Sequence, residues 1–367
     1  MVVIIYGTTG ELIKLFPLIN SIPAESRLLL DTRQQPEQLD RLRQEMELPY
    51  PDIVIGNGHK GHDLSGMAQI PGWFFGVSAN LWKNYRKIKK ATKNNEPSLV
   101  IVHGDTITTV IGAIYGRLLG LKVAHVEAGL RSFNWFHPFP EEIDRHIVSR
   151  VANFHFAPGD TPMHNLRDVK GEKINTKLNT VKDSLLLAAQ QKGALPKGIP
   201  KKYGVVSIHR NELLSQTQEL ETFLSILQEY ASRGTPLVYL DHPVTAKKIQ
   251  SLKLDHYLEG KNIVRIPKLS YNLFMALLNG SDFVVTDSGG LQEESAYLNI
   301  PCLIHRKATE REEGLGANVV LSKYDERIVR DFMDDPEKFR SKQTALNVSP
   351  TKIIRDFLAA NHFIKSK

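Results

Sequence analysis

The sequence predicts an α/β protein built as two doubly wound, Rossmann-like domains facing a central cleft. Three observations carry that prediction. Short, β-rich apolar runs alternate with helical patterns almost from end to end. The runs are apolar at successive positions, as in parallel strands covered by helices on both faces. A stretch rich in Lys, Gly and Pro, "QKGALPKGIPKKYG" (191–204), breaks the alternation as a linker would. The 367 residues, 41% hydrophobic and 24% charged, suffice for two domains with a large core.

Taken in order, "MVVIIYGTTGE" opens with a strand at Val2–Tyr6 and lacks the basic start of a signal peptide. Further strands are expected at Arg27–Asp31, Ile53–Ile55, Leu99–His103, Val123–Val126 and Phe154–Ala157. The polar stretch "GDTPMHNLRDVKGEKINTK" (159–177) has little pattern and precedes the helical "LNTVKDSLLLAAQ". A second set of strands is expected at Val205–Ile208, Leu237–Leu240, Ile263–Ile266, Phe283–Thr286, Cys302–Ile304 and Val319–Leu321. One helix over 211–232 carries an apolar stripe at Leu220, Phe223, Leu224 and Leu227. A final helix places Ile353, Phe357, Ala360 and Ile364 on one face, which must pack on something, the first domain being one option. The expected domains are therefore 1–175, carrying acid/base residues, 176–350, and a terminal helix over 351–367.

Composition narrows the function. No apolar run approaches the roughly 20 residues of a spanning helix. The single cysteine, Cys302, excludes an internal disulfide, fits a reducing, cytoplasmic setting and lies in an apolar strand as an inert core thiol. The formal charge of +7 favours anionic ligands. Much of it comes from "KNYRKIKKATKNN", a solvated helix face that follows the aromatic "GWFFGVSANLW". Residues 72–95 are thus open to a weak membrane-surface contact. No nucleic-acid-binding module is recognisable.

In open α/β sheets, ligands bind beyond the carboxyl ends of the strands, so the residues that follow strands carry the most weight. "VVTDSGGLQEESAYLNIPCLI" (284–304) reads as strand, two-glycine corner, helix and strand. Ser288, Gly289 and Gly290 would open that helix and offer backbone N–H groups to a phosphate, although tight helix–strand packing also selects glycine. Glu293 and Glu294, a turn further on, suit either the helix N-terminus or ribose hydroxyls. "IVHGDTITT" puts His103 and Asp105 at a strand end, with Asp105 able to serve as a helix N-cap. "VAHVEAGLRSFNWFHPFPEEIDRHI" supplies Glu127 directly after a strand, then Arg131, and Glu141 and Glu142 behind Pro140. Ionisable groups beside Trp135, Phe136 and Phe139 point to a partly desolvated acid/base site. "VVSIHRNE" places His209 and Arg210 at a strand end, and "VYLDHPVT" places His242 likewise. "HRKATEREEG" adds Arg306, Lys307, Glu310, Arg311 and Glu312. No spacing matches a metal site, a Walker motif or a nucleophile elbow, so neither metal nor cofactor is expected.

Nine stretches in register, "GTTGELIK", "HGDTITT", "HVEAGLRS", "PFPEEIDR", "FAP", "NTVKDSL", "SIHRNE", "TDSGGLQEES" and "TEREEG", resemble the non-hydrolysing UDP-N-acetylglucosamine 2-epimerases over nearly the whole chain. The resemblance implies a glycosyltransferase-B-like pair of domains, a homodimer, and UDP held chiefly by the C-terminal domain. It implies interconversion of UDP-GlcNAc and UDP-ManNAc, a surface-polysaccharide precursor, by elimination and re-addition of UDP through a 2-acetamidoglucal intermediate. Asp105, Glu127 and Glu141 carry over as the acid/base carboxylates, and His209 as a diphosphate-stabilising or proton-shuttling group. The UDP-sugar is then expected on Arg131, Arg210, His242, Ser288, Gly289, Gly290, Glu294 and Arg311.

The chain departs from the family pattern at Thr9-Gly10, where an Arg-Pro pair is usual, at Leu213, in "HPVT", and in "DTRQQPEQ", which is only partly like a segment bordering an effector pocket. Two alternatives stay open: a glycosyltransferase of the same fold with a membrane-linked acceptor, and a hydrolysing 2-epimerase releasing ManNAc and UDP.

Overall fold

The structure is a computed structural model of the 367-residue chain. It describes all residues except 65, 95–96, 136–138, 190–194, 310, 342–347 and 366–367, and leaves out the side chains of 67 and 189. Phe136, Glu310 and the start of the expected linker fall outside the described residues.

Continuous apolar runs become parallel strands. In the first unit these are β1 (Val2–Tyr6), β2 (Arg27–Asp31), β3 (Ile53–Val54), β4 (Leu99–His103), β5 (Lys122–Val126), β6 (Phe154–Ala157) and β7 (Glu172–Asn175). They pair in the order β3-β2-β1-β4-β5-β6-β7. β1 and β4 are buried at every position, as central strands covered on both faces must be. Between them run α1 (Thr9–Ser21), α2 (Pro36–Met46), α3 (Ile70–Lys93), α4 (Ile107–Leu118), α5 (Glu141–Val151), α6 (Asp160–Asn165) and α7 (Val181–Ala189). β7 corrects the reading of 159–177 as unpatterned. Its "EKIN" sequence sits at the sheet edge, none of it fully buried, so no apolar run marks it.

The second unit has β8 (Gly204–Ser207), β9 (Leu237–Asp241), β10 (Ile263–Pro267), β11 (Phe283–Thr286), β12 (Cys302–Ile304) and β13 (Val319–Leu321). Their order, β10-β9-β8-β11-β12-β13 and all parallel, is the doubly wound pattern of a dinucleotide-type fold. Its helices are α8 (Asn211–Leu214), α9 (Thr217–Ser232), α10 (Pro243–Ser251), α11 (Tyr271–Asn279), α12 (Gly289–Leu298) and α13 (Glu326–Asp334). The single helix expected over 211–232 is two, α8 and α9. The predicted stripe of Leu220, Phe223, Leu224 and Leu227 is buried as drawn. Cys302 is fully buried and its thiol is pushed up to about 12 by desolvation, so it is inert.

The last helix, α14 (Pro350–Ala360), packs against α1. Two carboxylate bonds and a lysine tie its start down: Asp183 accepts from Ser349 Oγ and Thr351 N, and Lys182 Nζ donates to the Val348 carbonyl. Its buried stripe is centred on Thr351, Ile354 and Leu358. Phe357 lies at the stripe's edge against Phe154 and Phe156, Ile353 is half-buried and Ala360 is exposed, a shift of one position from the predicted face. The chain thus divides into one compact unit of Met1–Leu187 with Val348–Lys367 and another of Ala188–Asn347.

On the first unit, α3 and α4 leave an apolar groove of about 260 Å³ lined by residues including Phe74, Trp82, Tyr85, Ile114 and Leu118. No described helix is long and apolar enough to cross a membrane.

Candidate active site

The candidate residues lie around the reversal of strand order, at β1, β4 and the neighbouring β5 in the first unit and at β8, β11 and the neighbouring β9 in the second. In the first unit the two loops at that point are tied together by Glu11, which is buried. Its carboxylate accepts from Gly7 N at 2.7 Å and Thr8 N at 2.9 Å, and from the Thr106 and Thr109 hydroxyls of the next crossover. Thr106, not Asp105, is the N-cap of α4, through a reciprocal bond with Thr109. Asp105 is therefore free of a capping role. It receives Arg145 Nε at 2.9 Å and Arg145 Nη2 on the same oxygen, Oδ2.

Glu127 follows β5 directly and holds φ +65°, a left-handed conformation that costs a non-glycine residue of order 1 kcal/mol. It is buried, paired with Lys14 from α1 and 3.3 Å from His103 Nε2. His103 pairs with Val126 across β4 and β5, and the Gly104 N–H reaches the Val126 carbonyl, so Asp105 and Glu127 leave adjacent strand ends. The fully buried His125 holds the Gly104 carbonyl at 2.7 Å, and burial lowers its imidazole to about 3.

α5 starts at Glu141 after Pro140. Glu141 Oε2 is buried with no hydrogen-bond partner among the described residues. Glu142 is structural: it accepts from Ser132 N at 2.9 Å, Ser132 Oγ at 3.0 Å and Arg145 Nη1 at 3.1 Å, which lower its carboxyl against the cost of burial. Asp144, three residues after Glu141, is buried with Oδ2 unpartnered. Desolvation first, then the charges of Asp105 and Glu141, push it up to about 7. Arg131 braces this loop, donating to Ser149 Oγ and to the Leu130 carbonyl. Trp135 stacks on His146 at 4.3 Å, and both Trp135 and Phe139 stay about half exposed.

In the second unit Asp287, directly after β11, accepts from the backbone N–H of His209 (3.0 Å) and Arg210 (2.8 Å), fixing the loop after β8. The His209 and His242 rings lie 4.7 Å apart, and His242 Nε2 is 3.2 Å from Ser207 Oγ. Burial lowers both imidazoles, His242 to about 4; at His209 the Asp287 carboxylate opposes the shift while Arg210 and Lys268 add to it, and at His242 the neighbouring His209 and Lys268 add to it. Both rings are therefore neutral at pH 7, which suits His209 to hydrogen bonding or proton transfer rather than to charge compensation.

Ser288 caps α12, its Oγ taking Leu291 N. Gly290 is exposed, and a Cβ there would meet nothing nearer than Ser288 Oγ at 3.8 Å. Neither glycine has a positive φ. Packing and backbone conformation therefore do not select glycine at 290; bare N–H groups at a helix N-terminus do suit a phosphate. Further along α12, Glu293 is buried in a 2.9 Å pair with Arg311, and Gln292 holds the loop that bears Arg311 through the carbonyls of Arg311 and Glu313 and the Thr309 hydroxyl. Glu294 is half-buried, and Tyr271 lies within its field. Glu212 anchors Arg306.

Sequence reasoning missed Lys14, Asp144, Arg145, Asp287 and Lys268 as site residues. All stood in, or beside, segments already singled out. The i, i+3 and i, i+4 spacing of Glu141, Asp144 and Arg145 would have placed them on one face of α5, and Asp287 and Lys268 each follow a strand directly. Among the described residues no group of three His, Cys, Asp or Glu side chains could hold a metal ion.

The sequence model of the UDP-N-acetylglucosamine 2-epimerases matches residues 76–348. The chain belongs to the UDP-N-acetylglucosamine 2-epimerase family. It is 31% identical over 331 residues to the UDP-N-acetylglucosamine 2-epimerase of Methanococcus maripaludis, covering 86% of this chain and 85% of that one. Among solved structures of the family, the UDP-GlcNAc 2-epimerase from Methanocaldococcus jannaschii aligns with a TM-score of 0.79 at 25% identity, over 98% of this chain and 99% of that one. The Neisseria meningitidis UDP-GlcNAc 2-epimerase, bound to UDP-GlcNAc, aligns at 0.77 and 27% identity over 98% and 100%. Thr9 and Gly10, at the position where the resemblance led to an expected Arg-Pro pair, open α1. Thr9 donates to Gln35 through its N–H and its hydroxyl, and Gly10 is exposed with open space where a Cβ would sit.

Proposed function

We propose that this chain epimerises UDP-GlcNAc at C2, by abstraction of the C2 proton as UDP leaves C1, followed by re-addition of UDP and protonation of the opposite face of a 2-acetamidoglucal. The observation that carries this is the gathering of carboxylates in the first unit. Asp105, bonded to Arg145, and Glu127 stand at adjacent strand ends, and Glu141 and Asp144 stand on one face of α5, within the field of Asp105. Exchange of a carbon-bound proton on two faces requires two positioned proton carriers, and each contributes typically ~10²–10⁴-fold. Asp105, Glu127 and Glu141 are the proton-transfer candidates, with Lys14 and Arg145 orienting Glu127 and Asp105.

The second unit supplies the hold on UDP. The N–H groups of Gly289 and Gly290, with Ser288, donate to the diphosphate, where the helix dipole favours negative charge. Arg210 and the neutral His209 and His242 lie at the same strand ends, and Glu294 takes the ribose. Charge that develops on the departing diphosphate is stabilised by donors already in place. Arg131 and Arg311 act through the loops they brace.

The homodimer belongs to the same proposal, seated on the groove between α3 and α4. A concave apolar groove rimmed by exposed Trp82 and Leu118 accepts protruding side chains of a second copy better than it accepts a layer of lipid headgroups.

The test is product analysis. UDP-GlcNAc incubated with the protein alone yields UDP-ManNAc, separable by ion-pair chromatography. Free ManNAc with UDP would instead mark a hydrolysing epimerase, and an unconsumed donor would favour glycosyl transfer.

A further inference from the structure

A reaction that takes a proton from one face of a carbon and returns one to the other must begin with a proton already in residence. One carrier has to be empty to abstract and the other loaded to deliver. The first unit presents four carboxyl groups at the start of α5 and the end of β4: Asp105, Glu141, Glu142 and Asp144. Arg145 is spent on two of them, bonding Asp105 through Nε and Nη2 and Glu142 through Nη1. Glu142 takes two further donors from Ser132. Glu141 and Asp144 receive none of this. Each has one carboxyl oxygen buried without a hydrogen-bond partner among the described residues, as Glu142 Oε1 also is, but neither has the Ser132 or Arg145 donors that Glu142 Oε2 takes, and they stand three residues apart on the same helix face.

We propose that Asp144 is a positioning residue that stores the resident proton and shares it with Glu141, so that Glu141 is loaded when substrate binds. The inference rests on the epimerase reading. The transfer is balanced: the O–H bond at Asp144 Oδ2 breaks, one forms at Glu141 Oε2, and the charge of the pair is unchanged. After Glu141 delivers its proton to C2, the proton abstracted from the other face restores the count.

The surroundings favour storage over release. The charged groups facing Asp144 are Glu141 on its own helix and Asp105 in the loop between β4 and α4, both negative when ionised. Lys14 is paired with Glu127 at the end of β5, and Arg131 bonds Ser149. An ionised Asp144 would therefore stand more than nine-tenths buried beside two carboxylates with no cation bonded to it among the described residues, which burial and like charge both oppose. Its placement at about 7 agrees with the geometry.

Two measurements on the full chain test this. In protein labelled with carbon-13 at aspartate carboxyls, one resonance is expected to titrate near neutral pH, to vanish in Asp144→Asn and to reappear in Asp144→Glu only if glutamate is labelled as well. In kinetics, wild-type kcat is expected to fall as pH rises through about 7, because the store empties. Asp144→Asn, an isosteric amide that keeps a donor, is expected to lose that limb, with kcat at pH 6 lowered on the order of 10-fold, KM little changed and UDP binding retained. The absence of any aspartate carboxyl titrating above the ordinary carboxylate range, or a kcat profile identical in wild type and Asp144→Asn, would overturn it. Titration of Asp144 in a protein that never converts UDP-GlcNAc would leave the stored proton in place and remove the epimerase reading instead.

Discussion

Glu127 concentrates the physics of the first unit in one position: a carboxylate in a left-handed backbone conformation, buried, with Lys14 and His103 on the same oxygen. Backbone strain of that kind persists only where the surroundings over-determine it, and it clusters at functional sites. Replacing Asp105, Glu127 or Glu141 by the amide is expected to lower kcat by roughly 10²–10⁴-fold. The circular dichroism of each variant should match that of wild type, and full turnover in all three would contradict their roles. The buried imidazoles set an acid limit on stability. His125 and His305 are lowered to about 3 and His242 to about 4, against 6.5 when exposed. Between those values the unfolded chain binds more protons than the native one, so their contribution is complete above about pH 6.5 and is lost as pH falls towards 4. Asp144, raised to about 7, works in the opposite sense and offsets part of the loss. The melting temperature should fall between pH 7 and pH 5; a higher value at pH 5 would mean that these rings are not held neutral.

At α12 the same reasoning separates packing from binding. Gly290→Ala meets no atom closer than 3.8 Å and should leave the melting temperature unchanged or raised, by at most about 1 kcal/mol of helix propensity. UDP affinity, measured by calorimetry, should fall, because the methyl group would stand where the proposed phosphate contact lies. A variant that binds UDP as wild type does would return Gly290 to a merely tolerated residue. The strands were legible because the parallel sheets bury them on both faces, leaving continuous apolar runs such as Val2–Tyr6 and Leu99–His103. β7 was not, since an edge strand written "EKIN" has no such run. The candidate residues were legible where they stand within two positions of a strand end, as Asp105, Glu127 and His209 do. Others were hidden where an ion pair between distant segments assigns the role: Lys14 to Glu127 spans 113 positions, and Asp105 to Arg145 spans 40. Asp287 was hidden for a similar reason, since nothing local says that its carboxylate holds backbone 77 and 78 residues away.

The chain as an assembly turns on the face of α3 and α4. α3 has no acidic residue and carries Lys83, Arg86, Lys87, Lys89, Lys90 and Lys93, while Phe75 and Trp82 are 71% and 76% exposed. If a second copy covers the groove, Trp82→Ala combined with Leu118→Asp should convert a dimer to a monomer in light scattering without unfolding it. A wild-type monomer that co-sediments with anionic vesicles, and loses this on mutation of Phe74, Phe75 and Trp82, would assign the same face to a membrane surface. Neither result bears on the proposed chemistry, in which carboxylates exchange a proton at C2 while UDP departs and returns. The most direct measurement of that claim is proton NMR of UDP-GlcNAc incubated with the protein in D₂O. Deuterium at C2 of intact UDP-GlcNAc and UDP-ManNAc is the predicted result. An epimerised UDP-sugar that retains hydrogen at C2 would contradict it.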